Sequence, residues 1–130
     1  KVEQNKFWHD FWNSKIRKLL NQHIIVYKGR ISNHQAEKGV DVKIAIDIIR
    51  YTYEKRFDVG IIFSQDTDLL EAIKLSKNIA SQQGRKIEYE CAFLYEECKK
   101  DKCFGLFGTA WRKITKNIYD SLMDKEDYRK

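Results

Sequence analysis

The sequence predicts an α/β fold built on a mostly parallel sheet, and two observations carry that prediction. Segments of helical periodicity alternate with short β-branched runs over short connections, the order that βαβ units produce. One of these runs, DVGIIFS at residues 58 to 64, is apolar at successive positions. A strand buried on both faces of a parallel sheet reads that way.

The elements follow in order. Residues 5 to 21 predict an amphipathic helix, because Trp8, Trp12, Ile16 and Leu19 recur at helical spacing, with Phe7, Phe11 and Leu20 widening the stripe. Aromatics so spaced are expected in the core rather than on a stacking surface. HIIVYKGRI, residues 23 to 31, predicts a strand, and residues 32 to 38 a polar loop. Residues 40 to 56 predict a second helix with Val42, Ala45, Ile46 and Ile49 on one stripe, extended by Ile44 and Ile48. A helix this apolar is expected to be buried on more than one side. Residues 67 to 83 predict a third helix, with Gly84 as its stop. KIEYECAFL, residues 86 to 94, predicts the next strand. Beyond residue 95 the pattern weakens. A charged, cysteine-bearing loop is expected at 96 to 103, a turn between Gly105 and Gly108, a short helix within 109 to 123, and then the charged tail DKEDYRK.

Length and composition set bounds. The 130 residues suffice for one domain, expected to span 1–130 with 96–130 as its C-terminal extension. No apolar run approaches the roughly 20 residues that cross a bilayer, and no secretory pattern opens the chain, so a cytoplasmic protein is expected and no membrane partner. The chain opens at Lys1 rather than Met, and sequence upstream is expected to have been removed. A net charge of +6 and a pI near 9.2 suit an acidic partner, nucleic acid being the commonest. A well-solvated, lysine-rich surface explains the same balance equally well. Three cysteines, Cys91, Cys98 and Cys103, are an odd number without a secretory signal, which argues for reduced thiols. Their spacings are not those of a zinc finger or ribbon, so a zinc site would have to be completed by His9, His23 or His34. No serine-hydrolase elbow, P-loop or dinucleotide-binding glycine pattern is present.

The informative segment is SQDTDL, Ser64 to Leu69. Asp66 and Asp68 fall just past a core strand and at the start of a helix. Ligands of open α/β sheets bind at the carboxyl ends of the strands. Two carboxylates there repel unless a cation lies between them, and hard oxygens suit Mg²⁺ or Mn²⁺. Helix capping accounts fully for one such aspartate, and less well for two. Asp41 opens the second helix; if the preceding strand joins the parallel sheet, Asp41 lies at the same edge. Asp47, nearly two turns further on, is a second-tier acid, expected to pair with Lys43, Arg50 or Lys38 if buried.

EKGVDVKIAIDII followed by FDVGIIFSQDTDL resembles the core signature of NYN domains, within the PIN-like nuclease superfamily and its LabA-like bacterial branch. The likeness extends through NKFWHDFW and HIIVYKGRI upstream. Downstream it runs through Ala92–Phe93, GLFGTAW, Tyr119–Asp120 and DKEDYR. It implies a three-layer α/β/α, Rossmann-like PIN domain that hydrolyses RNA phosphodiester bonds with Mg²⁺ or Mn²⁺. The acids it implies are Asp41, Asp66 and Asp68, with Ser64 hydrogen-bonding a phosphate or a carboxylate. Asp66 and Asp41 are the first choices for direct ligands, and Asp68 for binding through water or orienting the attacking water. Lys38, Lys43 and Arg30 are candidate phosphate contacts. The RNA is expected to be single-stranded or a structured loop, with Tyr27, Tyr51 and Phe104 as candidate stacking residues. A homo-oligomer is compatible with this reading. The sequence departs from the family in two places: the first strand, with its aspartate and asparagine, is missing before Asn5, and the loop at 32 to 38 is short. The competing reading is a catalytically incomplete module that binds RNA or a protein. A phosphotransfer enzyme ranks last, because SQDTD lacks the paired-aspartate phosphoacceptor pattern.

Overall fold

In a computed structural model of the chain, residues 2 to 31, 37 to 95, 104 to 126 and 128 are described. Helix α1 (Val2–Asn21) is followed by a turn in which His23 takes a left-handed φ of 61°. Residues 24 to 29 then carry no regular secondary structure. Strand β1 is only Arg30–Ile31, and it pairs antiparallel with β2 (Glu37–Lys38), with Arg30 opposite Lys38. The strand expected over residues 23 to 31 is therefore mostly absent, and its remnant forms a hairpin outside the parallel sheet. The physical reason is that a β-branched composition favours a strand only where a neighbour supplies hydrogen bonds and packing. Ile24 and Ile25 are exposed, and the Ile24 N–H bonds back to the Leu19 carbonyl at 3.0 Å, at the end of α1, rather than to a strand.

Helix α2 (Val40–Tyr53) starts after Gly39, whose φ of 87° only glycine adopts without strain. One side of α2 is buried, with Ile48 and Thr52 inside and Ala45 and Ile49 packed against the core. Val42 and Ile46 are exposed, so the expectation of burial on several sides is corrected. Strand β3 (Val59–Ile62) leads to a short 3-10 helix, Thr67–Leu69, which runs into α3 (Leu70–Gln82). Strand β4 (Glu88–Leu94) follows, then β5 (Ala110–Ile114) and α4 (Lys116–Leu122). The short helix expected within 109 to 123 is α4, and the strand that precedes it, β5, is the element the sequence reading did not anticipate. AWRKI is short and β-compatible, and β4 offers it a parallel edge.

The sheet is parallel throughout, in the order β3-β4-β5. Gly60 lies opposite Tyr89 and Ile62 opposite Cys91, while Cys91 in turn faces Trp111. Ile62, Tyr89, Cys91 and Phe93 form the covered face, packed with Ile48 from α2 and Leu69, Ala72, Ile73 and Ala80 from the 3-10 helix and α3. Gly60 makes this packing possible: a Cβ there would lie 2.6 Å from Cε1 of Tyr89. The Tyr89 hydroxyl meets Ser76 Oγ at 2.8 Å, and Ser76 Oγ donates to the Ile73 carbonyl at 2.7 Å, so both buried hydroxyls are satisfied. The alternate β3 positions, Val59, Ile61 and Phe63, remain 54%, 68% and 64% exposed. The apolar run of β3 thus finds cover on one face only among the described residues. This is the Rossmann-like α/β architecture of PIN-like domains.

The C-terminal segment returns to α1. Tyr128 meets Phe11 edge-on at 5.9 Å, and Lys18 bonds Glu126 and lies 3.5 Å from Asp124. The Glu126 hydrogen bond raises the Lys18 pKa, while the Tyr128 hydroxyl holds the Asp124 carboxyl below its ordinary range. No described helix is long and apolar enough to cross a membrane.

Candidate active site at the carboxyl end of the sheet

The end of β3 is fastened to its neighbours before the acids begin. The buried Cys91 thiol donates to the Ser64 carbonyl at 3.0 Å, tying the strand end to β4. Gln65 Nε2 donates to the Phe104 carbonyl at 2.6 Å, which holds the same turn to the segment entering β5. Ser64 Oγ accepts the Asp66 N–H at 3.1 Å, and Asp66 Oδ1 accepts the Asp68 N–H at 2.9 Å. Asp66 is therefore the N-cap of the 3-10 helix, with extended backbone, and is half-buried; Asp68 is exposed. The capping role weighed from sequence is real for Asp66, but it occupies one oxygen. Among the described residues the other takes no hydrogen bond.

The remaining predicted residues are placed as follows. Asp41 is exposed in the first turn of α2, a helix that packs beside the 3-10 helix. It follows the β1–β2 hairpin and not a strand of the parallel sheet, so the strand that was to bring it to the sheet edge does not do so. Among the described residues no three His, Cys, Asp or Glu side chains are grouped so as to hold a metal ion. Asp41, Asp66 and Asp68 are thus not a closed ligand set: their oxygens are of the kind Mg²⁺ and Mn²⁺ prefer, but too few converge. Asp47 bonds Lys43, the structural role expected of it, and this pairing also occupies the Lys43 ammonium.

Arg30 and Lys38 are both exposed and face each other across the hairpin. Like charges directly opposite repel, so an anion between them would be favoured. Tyr51 is half-buried between the guanidinium groups of Arg50 and Arg56, at 5.1 and 4.7 Å, which leaves little room for a base. Tyr27 and Phe104 are exposed. Cys98, Cys103 and His34, residues a zinc site would draw on, lie outside the described residues. The tethers from Cys91 and Gln65 were not foreseen. A thiol on the covered face and a side-chain amide next to the acids carry no sequence signal until the register of β4 and the path into β5 are known.

No curated protein and no solved structure matches the chain. The family model described as NYN domain matches residues 3–81, more than half of the chain and the stretch that includes Asp41, Ser64, Asp66 and Asp68. By that match and by its fold, this chain belongs to the NYN domain family of the PIN-like superfamily.

Proposed function

We propose that the chain is the catalytic domain of a divalent-metal-dependent ribonuclease, acting in the cytoplasm and belonging to the LabA-like bacterial branch of its family. The observation that carries this reading is the pair Asp66 and Asp68, set directly after a core strand in a domain of a nuclease-type family whose members generally act on RNA. One Asp66 carboxylate oxygen holds the turn through the Asp68 N–H, the other takes no hydrogen bond among the described residues, and Ser64 fixes the Asp66 backbone. Asp41 and Asp66 are the proposed direct ligands, with Asp68 acting through water. Mg²⁺ or Mn²⁺ held there supplies charge neutralisation and an activated water. Arg30 and Lys38 take a substrate phosphate between them, which relieves their mutual repulsion. Lys43, bonded to Asp47, is the weakest of the proposed phosphate contacts.

The described acids do not complete the ligand set, and among the described residues β3 has a bonded neighbour on one side only. A further strand laid beside β3 and bearing a carboxylate at its end would add the missing oxygens. The second reading, a catalytically incomplete module that binds RNA, is favoured by the same absence of a three-acid group. A cleavage assay separates the two: single-stranded RNA, titrated with Mg²⁺ and with Mn²⁺ and then with chelator. Divalent-stimulated cleavage abolished by chelation supports the nuclease. Binding without cleavage at every metal concentration supports the module.

A further inference from the structure

We propose that the groove between α1 and residues 26 to 29 is a stacking site for single-stranded RNA that feeds the acid edge, an inference that takes its ligand from the ribonuclease reading. The groove has a volume of about 660 Å³ and is walled by Trp8, Trp12 and Ile16 on one side and by Val26, Tyr27 and Lys28 on the other. That size falls within the range of ligand pockets. Trp8, Trp12 and Tyr27 are 49%, 53% and 45% exposed. The helical stripe that sequence periodicity assigns to the core therefore presents its rings to solvent, and an apolar patch of this kind rimmed by polar groups marks a binding surface.

Charge selects the occupant. Lys15 and Lys28 line the groove, and neither has a carboxylate partner among the described residues. Among the described residues Lys15 contacts only rings, with its ammonium 6.0 Å from the Phe11 centroid and 5.3 Å from that of Tyr128. The carboxylates nearby are taken up by Lys18. Aromatic faces flanked by uncompensated cations suit a polyanion whose bases carry π-faces, which is the chemistry of single-stranded nucleic acid recognition. An apolar protein surface would leave those cations buried without partners.

Position gives a second argument. The wall residues Tyr27 and Lys28 run within two residues into Arg30, which faces Lys38 across the hairpin. The Tyr27 hydroxyl lies 3.6 Å from where a Cβ would stand on Gly39, two residues before Asp41. A strand of RNA stacked on Trp8, Trp12 and Tyr27 therefore meets Lys28, then Arg30 and Lys38, and arrives beside Asp41. In this arrangement the groove sets the path of the substrate, and the acids meet one of its phosphates.

The test is fluorescence anisotropy of a labelled oligouridylate with the full chain in chelator, so that cleavage cannot interfere. Stacking is worth about 1–3 kcal/mol per base, so Trp8→Ala with Trp12→Ala is expected to weaken binding by at least about tenfold. Trp8→Tyr with Trp12→Tyr keeps flat rings and is expected to retain binding, which covers the case in which the alanine variant fails to fold by circular dichroism. Lys15→Gln with Lys28→Gln is expected to weaken binding and reduce the slope of log affinity against log salt by about 1.4, roughly 0.7 for each phosphate contact on a single strand. Unchanged RNA affinity in the folded alanine variant overturns the proposal. So does a result in which the groove variants alter only self-association by sedimentation, or only binding to vesicles of anionic phospholipid. If the groove variants bind RNA normally while the wild type cleaves it, the groove falls and the nuclease stands. If the groove variants lose binding and the wild type cleaves nothing at any metal concentration, the groove stands and the nuclease falls.

Discussion

Asp66→Asn removes a charge while keeping the shape of the side chain, and it separates the two roles the structure gives this residue. The Asp68 N–H bonds Asp66 Oδ1 at 2.9 Å, and an asparagine oxygen can accept the same bond. Asn and Asp are near-equal as N-caps, so the change is expected to cost no more than about half a kcal/mol of stability, whereas Asp66→Ala loses the cap at about 1 kcal/mol. For catalysis the two variants should be alike, because both remove the carboxylate proposed as a direct metal ligand. A metal's charge stabilisation is worth several kcal/mol. A loss of about 3 kcal/mol lowers the rate roughly 100-fold. The assay is the initial rate of single-stranded RNA cleavage at saturating Mn²⁺ or Mg²⁺, run beside urea unfolding of all three proteins. The expected pattern is a normal unfolding midpoint with at least a 100-fold lower rate for Asp66→Asn, an order-of-magnitude expectation from the same conversion. Wild-type cleavage by Asp66→Asn, with an unchanged metal dependence, would refute the reasoning. Loss of activity that merely tracks unfolding would reduce Asp66 to its capping role.

Three further outcomes are expected. Gly60→Ala places a Cβ 2.6 Å from the buried Tyr89 ring. Overpacking of that kind typically costs about 1–3 kcal/mol, read as a lower urea midpoint. Ser76→Ala leaves the Tyr89 hydroxyl buried without its partner, at about 1–3 kcal/mol, while Tyr89→Phe costs less because Ser76 keeps its bond to the Ile73 carbonyl. Arg112 hydrogen-bonds Glu90 across β4 and β5 and holds its carboxyl below the ordinary value of 4.5. With the folded pKa depressed, the unfolded chain binds more protons, so the contribution is present above pH 4.5 and lost as the pH falls through the depressed value. Thermal melts over pH 3 to 7 should therefore show an acid-side decline that is shallower in Glu90→Gln.

The parallel core was legible because β3 and β4 each announce themselves locally. VGIIF is a short apolar run closed by a polar turn, which marks the strand although its expected burial on both faces is not met among the described residues, and EYECAFL alternates. The third helix was legible for the same reason, with Gly84 closing it at a φ of 70°. Residues 24 to 29 misled because propensity describes a willingness to pair, and among the described residues no partner strand lies beside them. AWRKI was missed in the opposite way: it is too short and too charged to read as a strand until β4 is seen to run alongside it. At the site, Asp66 and Asp68 could be placed from sequence because they directly follow a recognisable strand. Asp41 could not, because its position depended on the strand that proved to be a hairpin. Trp8 and Trp12 had the periodicity of a buried stripe, and periodicity tells which face a residue shares but not whether anything covers that face.

The two rims of the sheet are built differently, and this has a practical consequence. β5 carries Arg112 and Lys113 along its length, charges of the kind that discourage another molecule from joining. The stretch from Val59 to Phe63 carries none and is apolar and free of proline. Such a rim is a template for aggregation. Solutions of this chain are therefore expected to cloud as concentration rises, and a single lysine in place of Ile61 should clear them without disturbing the covered face, because that side chain already points into water.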